Sequence, residues 1–209
     1  MCTIRLNHPF TKVIAGPTGS GKTYYIQRLL KDINEIIDQP PEKIIFCFAE
    51  WQGVYDRLSL EHSNLSFIEG LPTRDQLSGD CRKLLIIDDL MQETDGRVTN
   101  IFTKGSHHQN MSVIYIVQNV FSKNKEHRTI TLNTHYFVIF KNPRDVSQIV
   151  RLASQMFPKK TGYMLDAYKE ATSKPHSYLF IDLKQNTPDH MRLRSNIFSG
   201  ETQVVYIPR

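Results

Sequence analysis

The 209-residue chain is predicted to form an α/β fold, with a mostly parallel central sheet covered by helices on both faces. Three observations predict it. Short apolar runs alternate with longer stretches of helical periodicity, as in successive strand–helix–strand units. Several runs are apolar throughout and end in a polar residue, the pattern of a strand buried on both faces with its carboxyl end at the sheet edge. A glycine-rich segment, Gly16-Pro17-Thr18-Gly19-Ser20-Gly21-Lys22-Thr23, joins the first run to the first helical stripe.

Taken in order, the strands are expected at Lys12–Gly16, Lys43–Glu50, Leu65–Glu69, Leu84–Asp89, Ser112–Asn119, His135–Lys141 and Ser177–Leu183. Between the first two, Ile26, Leu29, Leu30, Ile33 and Ile37 form one amphipathic stripe. Leu90–His108 has room for a helix that Gly96 and Gly105 weaken. Asp145–Phe157 reads as a helix stopped by Pro158, and Tyr163–Ala171 carries a second stripe. The tail, Met191–Pro208, reads as a closing strand or irregular cover. With no repeat, low-complexity segment or linker in view, residues 1–209 are read as one domain.

A composition of 40% hydrophobic and 22% charged residues is that of a globular chain, and it excludes collagen-like, coiled-coil and disordered classes. Lysine and arginine exceed aspartate and glutamate by 26 to 21, a surplus that suits a polyanionic partner without requiring one. Cys2, Cys47 and Cys81 form no C-x-x-C pair, so reduced thiols are expected. No run approaches the roughly 18–20 apolar residues that span a bilayer, and no charged-then-apolar leader opens the chain. A soluble intracellular protein without membrane contact is expected.

Residues Gly16 to Thr23 match G-x-x-x-x-G-K-S/T in full, between a β-branched strand and an amphipathic helix. Glycines let backbone N–H groups close around an anion, and the helix N-terminus adds its unpaired N–H groups. Lys22 is placed to reach the β- and γ-phosphates, and Thr23 to offer its hydroxyl to Mg²⁺. The fourth run, Leu84–Ile87, delivers Asp88 and Asp89 to the same edge. Alone, that pair also fits an acidic helix cap. After a complete phosphate loop it reads as a Walker B edge, with Asp88 toward Mg²⁺ and Asp89 orienting or deprotonating water. Gln118, where Val113–Val117 ends, fits an ordinary strand terminus or a sensor of the γ-phosphate and the hydrolytic water. Asn124-Lys125-Glu126-His127 lacks the aspartate of a guanine reader, so ATP is the expected nucleotide.

Together these residues resemble the FtsK/HerA superfamily of ring-forming DNA-pumping ATPases. Within it, the chain resembles the compact genome-packaging ATPases of Maverick/Polinton elements, adintoviruses, adomaviruses and poxviruses. The likeness spans most of the chain: His8-Pro9-Phe10, Glu50-Trp51-Gln52, Phe102 to His108, Tyr115 to Asn119, Arg128-Thr129-Ile130 and Phe140 to Asp145. It implies a P-loop NTPase fold with an extra strand between the Walker A and Walker B strands. It also implies a homo-oligomeric ring, a hexamer or pentamer, that hydrolyses ATP with Mg²⁺ and threads double-stranded DNA, without sequence preference, into a capsid through a capsid or portal-like partner. Virion assembly in the host nucleus or cytoplasm, with transient virion association, follows from the same resemblance.

By position, Lys22 and Thr23 hold phosphate and Mg²⁺, Asp88 the metal, Asp89 the catalytic-acid place and Gln118 the sensor place. Many cellular members carry Asp-Glu where this chain has Asp88-Asp89. For the basic group that such rings insert from a neighbouring subunit, Arg128 and Lys104 are ranked together, and each equally fits a solvated surface charge. Ser122–Arg128, with Lys123, Lys125 and Arg128, fits a DNA-tracking basic loop or a plain solvated one. Adjacent His107 and His108 lack partners at metal-ligand spacing. Trp51 is expected to pack in a core or interface. The rival readings are a small nucleotide kinase or transferase and a nucleotide-gated adaptor with little turnover.

Overall fold

The computed structural model describes residues 5–90, 96–105, 110–121 and 125–208. The strands are β1 (Thr11–Ala15), β2 (Lys43–Phe48), β3 (Leu65–Glu69), β4 (Lys83–Asp88), β5 (Met111–Val117), β6 (Tyr136–Phe140), β7 (Tyr178–Asp182), β8 (Leu193–Ser195) and β9 (Val204–Tyr206). They form a single sheet in the order β3-β2-β4-β5-β1-β6-β7-β8-β9. The six strands from β3 to β6 run parallel, and β7, β8 and β9 are added antiparallel. Strand β5 therefore lies between β1 and β4, the strands that carry the glycine-rich loop and the acidic pair. Its register sets Val117 beside Ala15 and Ile116 beside Asp88.

The central strands form because they are apolar on both faces: every residue of β1, β5 and β6 is buried. Alternation then assigns residues to two cores. Val13 and Ala15 face one core, which α7 (Ser147–Met156) and α8 (Thr161–Ala171) cover with Ile149, Leu152, Met164 and Ala167. Ile14 faces the other, covered by α1 (Lys22–Lys31) and α3 (Val54–Glu61) through Tyr25, Ile26, Leu29, Tyr55 and Leu58. Lys12 lies with the second set and is fully buried. Its Nζ donates to Tyr25 Oη at 3.1 Å, within 5.4–5.9 Å of the ring centres of Phe10, Tyr25, Tyr136 and Phe180.

Several expectations shift in detail. The stripe from Ile26 to Ile37 is broken at Asp32 into α1 and the short α2 (Ile33–Ile36), and Ile37 is already extended. Two helices were not foreseen in the interval before β4: α3 and α4 (Arg74–Leu77), the latter started by a Thr73/Gln76 capping box. In the span 90–108, α5 (Arg97–Asn100) runs into a π-helical turn, Ile101–Gly105; residues 91–95 and 106–109, including His107 and His108, lie outside the described residues. The basic segment 122–128 is not a loop throughout, because α6 (Lys125–Leu132) begins at Lys125. The tail supplies β8 and β9 rather than one closing strand. Among the described residues, no helix is long and apolar enough to cross a membrane, and no cluster of histidine, cysteine and acidic residues forms a metal site.

Candidate nucleotide site

The glycine-rich loop is tied to the sheet at its first residue, where the Gly16 N–H donates to Val117 O of β5 at 3.2 Å. A Cβ at Gly16 would stand 2.6 Å from Ser20 Oγ and 2.7 Å from Phe140 Cβ, so only glycine fits there. The loop then turns through a Ser20 N–H to Pro17 O bond of 3.1 Å. Gly21 carries φ 110°, a region that side-chain-bearing residues rarely adopt, and α1 starts at the next residue. No side chain caps α1, which leaves its first N–H groups available to an anion. The buried Ser20 Oγ likewise has no hydrogen-bond partner.

Lys22 Nζ donates to Gly16 O at 2.6 Å and to Pro17 O at 3.1 Å, folding the ammonium over its own loop. Burial lowers its pKa, while Asp88 and Asp89 act in the opposite sense. Asp88 ends β4 and accepts a hydrogen bond from Tyr55 Oη at 3.0 Å. Burial pushes the Asp88 carboxyl up from its ordinary value; the Tyr55 hydroxyl counters this, Asp89 adds to it, and Lys22 counters it. Asp89 turns the chain out of the sheet at φ 52°, a conformation aspartate tolerates better than most residues, with its N–H donating to Ile116 O at 3.3 Å. Its Oδ2 accepts from Gln118 Nε2 at 3.1 Å.

A cavity of about 430 Å³ gathers these groups. Thr18, Gly19, Gly21, Lys22, Thr23 and Tyr24 line it from the loop and α1, Asp88 and Asp89 from the end of β4, and Gln52 and His176 from elsewhere. The predicted loop and acidic pair therefore meet in one place, and Gln118 joins them through Asp89. Arg128 does not: it lies on α6 and lines a separate groove of about 260 Å³ with Arg151, whose guanidinium sits over Phe121 at 5.4 Å. The Lys104, Lys123 and Lys125 side chains lie outside the described residues.

Four contributors escaped the sequence reading. Tyr55 and Gln52 belong to the turn and helix after β2, and Tyr24 follows the loop motif directly. His176 comes from the α8–β7 connection, with its Cβ 3.0 Å from where a Gly21 side chain would begin. Gln52 lay within a segment already singled out, Glu50-Trp51-Gln52. Nothing local marks His176. Trp51 is half exposed, with its ring packed on Phe48, Tyr55 and Phe67.

A phosphate loop after β1, an acidic pair after β4 and a strand wedged between them define the P-loop NTPase fold. Solved structures share it along nearly the whole chain. The genome packaging NTPase B204 from Sulfolobus turreted icosahedral virus 2 in complex with sulfate aligns over 98% of this chain and 98% of its own, with TM-score 0.58 and 14% identity. Its complex with ATP-gammaS aligns over 96% and 97%, with TM-score 0.55 and 13% identity. The cytoplasmic domain of the type VII secretion ATPase EccC from Thermomonospora curvata aligns over 94% of this chain but 25% of its own, with TM-score 0.51 and 14% identity. No family model and no curated protein matches the chain.

Proposed function

We propose that the chain is an ATPase that drives double-stranded DNA into a capsid. The observation that carries the catalytic part is the convergence of Lys22, Thr23, Asp88 and Asp89 on one cavity, with Gln118 bonded to Asp89. The residues fit Mg²⁺–ATP. The Gly16 position excludes any side chain, the uncapped α1 terminus supplies donors, and Thr23 and Asp88 supply hard oxygen ligands. Thr23 and Asp88 would hold Mg²⁺, which when bound neutralises phosphate charge.

Lys22 neutralises the β- and γ-phosphate oxygens once it leaves the Gly16 and Pro17 carbonyls. Asp89 orients the attacking water and takes its proton, and Gln118 fixes the Asp89 carboxylate from the adjacent strand end. The fold-level likeness to B204, together with the sequence resemblance, supports genome packaging as the work done. In this reading residues 1–209 form one ATPase domain of the FtsK/HerA type. It acts as a homo-oligomeric ring during virion assembly, docked on a capsid protein, with Arg128 or Lys104 the basic residue offered to the neighbouring site.

The test is ATP hydrolysis by the purified chain with and without long double-stranded DNA, at low and moderate salt, alongside its size in solution. Stimulation by DNA that weakens with salt, in a ring-sized species, is expected. DNA-indifferent turnover in a monomer would redirect the reading to a transferase or adaptor. Loss of turnover in Lys22→Ala is also expected, and full activity in that variant would refute the site.

A further inference from the structure

The helix after β2 enters the site through one side chain. Tyr55, in the first turn of α3, is fully buried, and its ring is held on several sides. Phe46, Phe48 and Phe67 lie 4.9, 5.7 and 5.2 Å away between ring centres, and Trp51 lies 5.5 Å away at a near-perpendicular angle. The start of the helix is fixed as well, since the Tyr55 N–H donates to Gln52 O at 2.9 Å. From that clamped ring the hydroxyl donates to Asp88 Oδ2 at 3.0 Å, across the β2–β4 pair in which Phe48 stands opposite Asp88.

We propose that Tyr55 is a positioning residue for Asp88, its hydroxyl engaging Oδ2 so that Oδ1 is held for the cation that accompanies the nucleotide. This rests on the ATPase reading above. The final torsion of an aspartate is broad and roughly two-fold, so a carboxylate at a strand end is not oriented by its own rotamer preference. A donor on a ring with four aromatic neighbours supplies that orientation, as outer hydrogen-bond partners do for carboxylate ligands elsewhere. The ring belongs to packing and the oxygen to the site, and Tyr55→Phe separates them by removing one atom.

The chain's single tryptophan, Trp51, packs on Tyr55 and supplies a readout independent of turnover. Its fluorescence is followed while Mg²⁺ is titrated into wild type and Tyr55→Phe at fixed ATP, with ATP in excess chelator as the reference. The Mg²⁺ half-saturation of the variant is expected to rise roughly ten- to a hundredfold. At low Mg²⁺ its turnover falls and at high Mg²⁺ it recovers, with the KM for ATP at saturating Mg²⁺ unchanged. A merely structural role for Tyr55 would lower the melting temperature without moving the Mg²⁺ dependence. If wild type responds to Mg²⁺ and the variant has the same half-saturation and turnover, the positioning role is overturned. If wild type itself neither responds to Mg²⁺ nor hydrolyses ATP, the ATPase reading fails, and the positioning role fails with it.

Discussion

Replacing Lys12 by methionine removes an amine that burial drives well below its ordinary pKa of 10.5. In the unfolded chain the same amine titrates near 10.4, so between the folded pKa and that value the unfolded state carries one more proton. Stability of the wild type therefore rises with pH across this window. Within the window the gain is at most about 1.4 kcal/mol per pH unit, and Lys12→Met lacks it. The lost contact with Tyr25 and the altered packing impose a cost that does not depend on pH in this range, so they cancel when slopes are compared. Tyr25 itself, whose phenol burial pushes well up, is present in both proteins and cancels too. Thermal unfolding at two pH values one unit apart within the window reads the effect: the wild-type melting temperature should climb relative to the variant, by at most about 3–5 °C for a chain of this size. Parallel profiles would show that Lys12 keeps its proton inside the aromatic cluster, and would refute the argument.

Other expectations follow from single contacts. Gly16→Ala drives a methyl group into Ser20 Oγ and Phe140 Cβ, and should cost about 1–3 kcal/mol in denaturant unfolding while also weakening nucleotide binding. Gln118→Ala removes the donor to Asp89 Oδ2, so ATP affinity should hold while turnover drops roughly ten- to a hundredfold; equal losses in both would count against the role given to Gln118. Thr73→Ala opens the capping box of α4 and should cost about 1 kcal/mol with ATP turnover unchanged.

The central parallel strands were legible because they are buried on both faces. Runs such as Leu84–Ile87 and Val113–Val117 carry no alternation to misread, and their polar ends mark the functional edge. Asp88 and Asp89 were legible for the same reason, since they directly follow Leu84–Ile87, whereas Lys22 and Thr23 were legible through the full G-x-x-x-x-G-K-S/T match that closes on them. α3 was not, since it buries only Tyr55 and Leu58 and opens at Gly53 without a side-chain cap. α6 presents Lys125-Glu126-His127-Arg128, which reads as a solvated loop until His127 and Ile130 are seen to be buried. Arg128 lines a groove with Arg151, away from the chain's own cavity, and a role in a neighbouring subunit's site is not written in any pattern local to α6. Tyr55 and His176 reach the site only through tertiary packing, which no local pattern encodes.

The insertion of β5 between β1 and β4 also separates what must be constant from what is free to vary. The gap between phosphate loop and acidic pair is two inter-strand steps, about 9.6 Å, and the ladders on either side of β5 fix it. The stretch containing β2, α3, β3 and α4 links the two motifs along the chain but lies on the far side of β4 in the sheet. Segments there, the exposed turn at Ser63-Asn64 for instance, can lengthen, shorten or acquire a new docking surface without changing that separation.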